Sequence, residues 1–404
     1  MSRPLLLLAD GDRAAGAAEL ERCWREGRSV ALAAPQERAV LLAALPAQLE
    51  QRWGAAVVLG SGGSSGGRRW CVQPLSHLHA AAAATARWLE ELGLEPARLQ
   101  LFNPLPLQHV SGLMPLVRAR RWGAELRWLD PQLMRDPARL LQDAPPTGAA
   151  LLSLVPTQLQ RLIDVPAGCR WLERFALIWV GGAALPVELA ERCRRLGLRL
   201  SPCYGSTETA AMVAALPPER FLAGANGCGQ PLPHAQLRLA PGTGALEISA
   251  ASLTPGFVAA GCFQPLPQRQ GWWSSGDRAR LGPEGLQILG RLDGAIHSGG
   301  ETVLPEQVEQ RLLELCRQRS LPLAELLLLA EPDPLWGERL VALFRPAAGC
   351  TLPAEILQQL ARELPPSQRP RRWLLCRELE RSPLGKWERQ RWRCWLQACP
   401  GAAS

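Results

Sequence analysis

From residue 55 to residue 196, short apolar runs alternate with segments of helical length, and this alternation restricts the fold more than any other feature of the chain. The runs at 55–59, 99–105, 149–155 and 175–180 are dominated by apolar residues, as buried strands are. The segments at 76–92, 112–121, 156–163 and 186–196 carry helical spacing. Strand and helix in turn predict a mainly parallel sheet covered on both faces. Residues 1–50 read as largely helical. From 227 to 289 the pattern shortens into strands with Gly/Pro turns, which predicts an antiparallel, barrel-like section. A second compact unit follows, with a helix at 305–318, strands at 324–330 and 340–344, a helix at 354–363 and a strand at 373–375. At 404 residues the chain exceeds a single compact core. The expected architecture is therefore α/β, with a large layered domain over 1–291 and a small α+β domain over 292–404.

Composition removes several classes of function. Hydrophobic residues make up 47% of the chain, enough for a large interior and too many for a disordered one. The apolar run at 5–9 is too short for a signal peptide, and no stretch is long enough to span a bilayer. The expectation is a soluble, cytoplasmic protein without a transmembrane segment. Twelve cysteines include no C-x-x-C pair, so zinc-ribbon and thioredoxin-like readings lack support. A formal charge of +8, spread along the chain, favours small anionic substrates over nucleic acid. Of 45 basic residues, 44 are arginines and one is lysine, Lys386. An ammonium is a compact point charge where guanidinium is a wide planar fork, so a lone lysine among arginines marks a place where the fork does not serve.

Gly60-Ser-Gly-Gly-Ser-Ser-Gly-Gly67 follows the first predicted buried strand. Small residues in series leave backbone N–H groups and hydroxyls free to surround an anion. A dinucleotide fingerprint fails at Ser65, where a third glycine is needed. A Walker A loop fails because Arg68-Arg69 stand where Lys-Ser/Thr belongs. Gly62-Gly63-Ser64-Ser65-Gly66 does fit G-x-S-x-G, so a hydrolase with Ser64 as nucleophile stays open, needing a downstream acid followed by a histidine.

Four further segments follow in order: Tyr204-Gly-Ser-Thr-Glu208; Ser275-Gly-Asp277; Gly290-Arg-Leu-Asp293, running on through Ile296, Ser298-Gly-Gly-Glu301 and Pro305; and Ser382-Pro-Leu-Gly-Lys386. Together with the Gly/Ser loop they resemble the ordered motifs of the adenylate-forming acyl-CoA synthetase family, from about residue 59 to residue 392. The family's loop ends x-P-K. Here it ends Gly67-Arg68-Arg69, which keeps the charge and changes its shape, a departure that bears on pyrophosphate affinity.

The resemblance implies roles. Ser61, Gly63, Ser64, Ser65 and Gly66 would cradle the triphosphate of ATP. Gly181, Gly182 and Ala183 would flank adenine, with Tyr204, Gly205, Ser206 and Thr207 beside them. Asp277 and Arg291 would take the ribose, and Glu208 would hold Mg²⁺. Thr207 would reach a phosphate or the acyl carboxylate, and Lys386 would join carboxylate to α-phosphate. The family's small C-terminal domain turns about a hinge, here Asp293. Within the family, the segments beginning at Pro104 and Ser153 and the Ser298-Gly-Gly-Glu301 form of the hinge motif resemble the o-succinylbenzoate–CoA ligase branch, which serves menaquinone or phylloquinone synthesis. That places His109, Ser111, Gly112 and Gly205 at the acyl pocket, with His109 orienting or gating it. Arg118 and Arg121 are candidates for a second carboxylate, on a helix where arginines usually face solvent. Eighteen residues follow Lys386 without a carrier-protein segment, so coenzyme A is the expected acceptor. Carboxylic acid, ATP and CoA are the expected partners, and a homo-oligomer is compatible with the sequence.

Overall fold

A computed structural model describes residues 5–8, 13–47, 49, 53–61, 69–382 and 385–398. Two large sheets face each other across a pair of helices. The first has six strands in the order Leu5–Leu8, Val30–Ala33, Ala56–Ser61, Arg69–Pro74, Gly256–Ala259 and Cys262–Pro265. Its first three strands are parallel and the others antiparallel. The second has seven: Gln230–Pro231, Ala211–Ala215, Leu200–Ser206, Leu177–Val180, Ala150–Leu154, Gln100–Asn103 and Glu125–Trp128. The five from Leu200–Ser206 to Glu125–Trp128 are parallel, as the alternating pattern predicts.

Helices Leu75–Glu91 and Val110–Trp122 fill the space between the sheets. Leu78, Ala81, Leu113, Met114 and Val117 pack on Val57 and Leu59 of the first sheet. Trp88, Leu89, Ala119 and Trp122 pack on Leu101, Leu151, Leu177 and Trp179 of the second. The outer face of the second sheet is closed by Pro156–Ile163, Pro166–Leu172 and Val187–Arg195 through Leu159, Leu162, Trp171 and Leu189. Ala235–Leu239, Ala245–Ala250, Trp273–Gly282 and Gly285–Arg291 form a third, antiparallel sheet, matching the barrel-like section expected there.

The C-terminal unit is α+β. Five strands, the last of them (Arg372–Leu375) parallel to Gly337–Pro346, carry Pro305–Gln318 and Ala354–Ala361 on one face. Arg389–Ala398 packs on the other through Trp392 and Leu396.

The structure departs from the sequence reading at both ends. The first fifty residues hold two strands, Leu5–Leu8 and Val30–Ala33, beside helices Arg13–Arg25 and Arg38–Ala44. Each strand has four residues, too few to show a period against neighbouring helical segments, and their state is decided by pairing, Leu5–Leu8 with Val30–Ala33 and Val30–Ala33 with Ala56–Ser61. The helix Arg389–Ala398 went unread because arginine and tryptophan blur its amphipathic stripe. Among the described residues no helix is long and apolar enough to cross a membrane, and every described cysteine is free.

Candidate active site

The site gathers where parallel strands of the second sheet end. Leu177–Val180 runs into Gly181-Gly182. A Cβ on Gly181 would come within 2.9 Å of the Cys203 sulfur, and Gly182 has φ +81°. The neighbouring Leu200–Ser206 carries Tyr204 and Gly205 at its end before the chain reverses into Ala211–Ala215. Gly205 is obligatory, because a Cβ there would lie 1.8 Å from the Ala211 carbonyl oxygen. The reversal puts Ala210 and Ala211 at positive φ, a conformation that costs about 1–3 kcal/mol per residue and is found mostly at functional sites.

Hydrogen bonds hold this turn. The Ser206 amide donates to Thr209 Oγ1 at 2.8 Å, and Thr209 Oγ1 donates to the Ala211 carbonyl at 2.6 Å. Gln73 Nε2 donates to the Thr207 carbonyl at 2.7 Å, and the Thr254 amide to the Glu208 carbonyl at 2.8 Å. The Glu208 side chain is therefore aimed by its backbone. It is 6% exposed, with Arg69 Nη2 at 3.8 Å. Arg69 lies over the Phe257 ring and is paired in register with Ser61 across the strands flanking the Gly/Ser loop. The loop itself, with Gly63, Ser64, Ser65 and Gly66, lies outside the described residues, as does Arg68. Ser61 is buried and its hydroxyl has no partner among the described residues.

Asp277 lies across from this turn. Tyr204 donates its hydroxyl to Asp277 Oδ2 at 2.5 Å, and Arg291 Nη1 donates to Asp277 Oδ1 at 3.3 Å. Burial, then the Asp277 charge, pushes the Tyr204 phenol well above its usual pKa, so it stays a donor. Arg291 also grips Asp293 with two parallel bonds of 3.0 and 2.8 Å, the geometry that suits guanidinium to carboxylate.

Lys386 reaches the same place from the C-terminal unit. Its loop is closed by the Gly385 amide on the Ser382 carbonyl at 2.7 Å and the Ser382 amide on the Lys386 carbonyl at 2.9 Å. Gly385, at φ +74°, rests on Thr157 so closely that a Cβ would meet the Thr157 methyl at 3.0 Å. Lys386 retains solvent-exposed surface and lies within the field of Glu208, Asp277 and Arg291. Burial, with Arg291 adding to it, lowers its pKa below the ordinary lysine value, and the two carboxylates partly offset this.

Of the residues expected at the acyl pocket, His109 stands at the N-cap of the helix Val110–Trp122 and is half-buried, Ser111 is exposed and Gly112 is buried. A Cβ on Gly112 would collide with the Pro106 carbonyl oxygen at 2.0 Å, and Asn103 Nδ2 donates to the Gly112 carbonyl at 2.7 Å. The expectation that Arg118 and Arg121 both face solvent needs correction. Arg121 does, but Arg118 is 4% exposed. Its guanidinium lies 4.7 Å above the Trp179 ring, in a narrow cavity with Phe102, Pro115 and Ser153, and among the described residues Nε has no partner. No acidic side chain pairs with it among the described residues, and burial lowers its pKa to about 10. Trp179 Nε1 and, on the next strand, Ser201 Oγ are likewise buried without partners.

His234, which the motifs did not single out, lies in the field of Arg118 and Arg87. Both its ring nitrogens are buried and unpartnered among the described residues, and burial, then those arginines, lower its pKa to about 4. The sequence did carry one signal for Arg118. It stands four residues from both Met114 and Trp122, on the buried stripe of its helix.

No group of three metal-ligating side chains occurs among the described residues. A single buried carboxylate, Glu208, suits Mg²⁺, which keeps water and phosphate oxygens as its other ligands.

Comparison with known proteins follows the same lines. A profile of the family described as AMP-binding enzyme matches residues 18–246. The chain is 28% identical over 350 residues to a 2-succinylbenzoate–CoA ligase of Enterococcus faecalis, covering 84% of this chain and 69% of that protein. It is 35% identical over 206 residues to the enzyme of that name from Salmonella typhimurium, a stretch spanning 51% of this chain and 41% of that protein. The fold is similar to that of the o-succinylbenzoate CoA synthetase of Bacillus subtilis in complex with its acyl-adenylate intermediate OSB-AMP. The TM-score is 0.78 at 21% identity, over 96% of this chain and 87% of that one. Wild-type E. coli MenE, bound to an analogue of OSB-AMS, gives a TM-score of 0.73 at 25% identity, over 99% and 89%.

Proposed function

The chain belongs to the AMP-binding enzyme family, and from that premise we propose that it is an AMP-forming acid–CoA ligase whose acid is o-succinylbenzoate. In the first half-reaction a carboxylate oxygen attacks the α-phosphorus of ATP and pyrophosphate leaves. In the second the CoA thiol sulfur attacks the acyl carbon, AMP leaves, and the thioester forms.

Residues take these roles. Asp277, held by Tyr204 and Arg291, accepts the ribose hydroxyls. The Tyr204 ring flanks adenine with Gly181, Gly182 and Ala183. The Gly/Ser loop, whose flanking strands are pinned from Ser61 to Arg69, receives the phosphates. Glu208 would hold Mg²⁺, which neutralises phosphate charge when bound. The Lys386 ammonium lies between acyl carboxylate and α-phosphate and stabilises the charge that develops there. The C-terminal unit, from residue 292, then turns about Asp293 to admit the thiol.

One observation carries the choice of acid: the buried Arg118 guanidinium without an acidic partner among the described residues. An isolated buried cation is costly unless a ligand brings the opposite charge. A monocarboxylic acid brings only the carboxylate that reacts. A dicarboxylic acid such as o-succinylbenzoate brings a second, and Arg118 is the buried cation to answer it. Relatives that carry the ligase name support the same reading.

The test is incubation of the pure protein with o-succinylbenzoate, ATP, Mg²⁺ and CoA, with mass detection of the thioester and AMP. A thioester is expected from the diacid, and at most about 1% of that rate from the analogue lacking the second carboxylate. Equal use of the two acids would overturn the choice of acid, and ATP-independent ester cleavage would overturn the ligase reading.

A further inference from the structure

We propose that Arg389 is the positioning residue for Lys386; this rests on the reading that Lys386 serves adenylation. Among the described residues, the segment bearing Lys386 has no regular structure between Arg372–Leu375 and the helix beginning at Arg389. Something must fix where the ammonium stands, and two arginines flank it. On one side Arg381 donates from Nε to Glu325 Oε2 at 3.1 Å and lies over the Trp387 ring at 4.4 Å. On the other, three residues beyond Lys386, Arg389 is seated among three acceptors. Nη2 lies 3.0 Å from Glu306 Oε1 and 3.1 Å from Glu309 Oε1, and Nη1 donates to the Leu328 carbonyl at 2.7 Å. Glu309 is itself fixed by the Leu328 amide at 2.8 Å.

A guanidinium held by two carboxylates and a carbonyl in a buried setting has one orientation open to it. The start of the last helix is thereby pinned to the helix Pro305–Gln318, and with it the loop that carries the lysine. Glu306 adds a second link. Its Oε2 is buried without a partner among the described residues and lies 3.1 Å from where a Cβ of Gly290 would be, on the strand that leads to Arg291 and Asp293. The carboxylate that holds Arg389 thus also packs against the seam between the C-terminal unit and the ribose side of the site. Arg389 itself touches no reacting atom. Its effect passes through the placement of Lys386, where displacement by about 1 Å costs on the order of 10²-fold in rate.

The experiment compares wild type with Arg389→Lys, Arg389→Met and Glu306→Gln in the full chain, measuring two half-reactions. Adenylation is read by acid-dependent exchange of labelled pyrophosphate into ATP, and thioester formation from synthetic acyl-adenylate plus CoA. Arg389→Met should lower the adenylation kcat about 10²-fold with KM for ATP and acid unchanged, and leave thioester formation within about twofold. Arg389→Lys should recover most of the loss, and Glu306→Gln should show a smaller loss in adenylation alone. Equal loss of both half-reactions, or unaltered adenylation, would overturn the proposal. If Arg389→Met does not fold, Glu306→Gln decides, because adenylation at the wild-type rate there would overturn it. Lys386→Ala, run alongside, separates the two ideas: if it leaves adenylation intact, the role given to Lys386 itself has failed.

Discussion

At the end of the site proposed to take the nucleotide each of the charged groups Asp277, Arg291 and Glu208 has an internal partner, whereas at the end proposed to take the acyl group the buried Arg118 has no acidic partner among the described residues. Asp277 is bound by Tyr204 and Arg291, Arg291 by Asp293, and Glu208 lies beside Arg69. Arg118 faces Trp179 and His234 with no carboxylate in reach among the described residues. The first arrangement is preorganised and costs little to maintain, since its charges neutralise one another before ATP arrives. The second stores an unfavourable interaction that only an anion relieves, so it gives selectivity at the expense of stability. Lys386 stands between them, delivered from the other unit.

The largest effect should come from that bridging charge. Lys386→Ala is expected to lower adenylation about 10²–10³-fold while sparing thioester formation from preformed adenylate. In the wild type, adenylation should decline as pH rises through a lysine pKa that burial holds below the ordinary value, and Lys386→Arg should move that decline to higher pH. A pH–rate profile of pyrophosphate exchange checks both, and an unmoved alkaline limb would assign it to another group.

Next comes the acyl end. Arg118→Met should cost about 10²-fold in kcat/KM for the diacid, because a desolvated charge pair is lost, yet the variant should melt at a higher temperature than wild type. Calorimetry beside kinetics reads this pair of opposite changes. A lower melting temperature would break the contrast between the two ends, since Arg118 would then be compensated within the protein.

The last effect concerns stability rather than rate and lies at His234. Its folded pKa of about 4 lies below the unfolded value near 6.5, so the stability it contributes is full above pH 6.5 and is lost as pH falls toward 4, when the unfolded chain binds the proton first. The loss amounts to about 3 kcal/mol at most. Denaturant titrations at pH 7 and 4.5 should show His234→Gln losing less stability than wild type, and equal losses would place the acid sensitivity elsewhere.

Much of this was legible in the sequence, for identifiable reasons. Pro156–Ile163 and Pro305–Gln318 start at prolines that fit a first helical turn, and both match their predicted spans. Tyr204, Asp277, Glu208 and Lys386 stand in motifs whose order along the chain is informative, and the fold brings them together. The acyl end was harder to read. Whether an arginine on a helix faces water or a neighbouring sheet depends on which side the sheet packs, and only the tertiary arrangement supplied Trp179 above Arg118. His234 belongs to no motif, and nothing local announces that its nitrogens lie buried beside two arginines. The contact of Arg69 with Glu208 joins residues 139 positions apart, beyond the reach of any periodicity argument.

A chain with 44 arginines and one lysine has a single side-chain amine. An acylating fluorophore applied at mildly alkaline pH therefore has one internal target, Lys386, on the unit expected to swing, and its lowered pKa favours reaction there over an ordinary lysine. A lysine-specific endoprotease has likewise one peptide bond to cut, which turns occupancy of the cleft by ATP into a protection readable as two fragments on a gel.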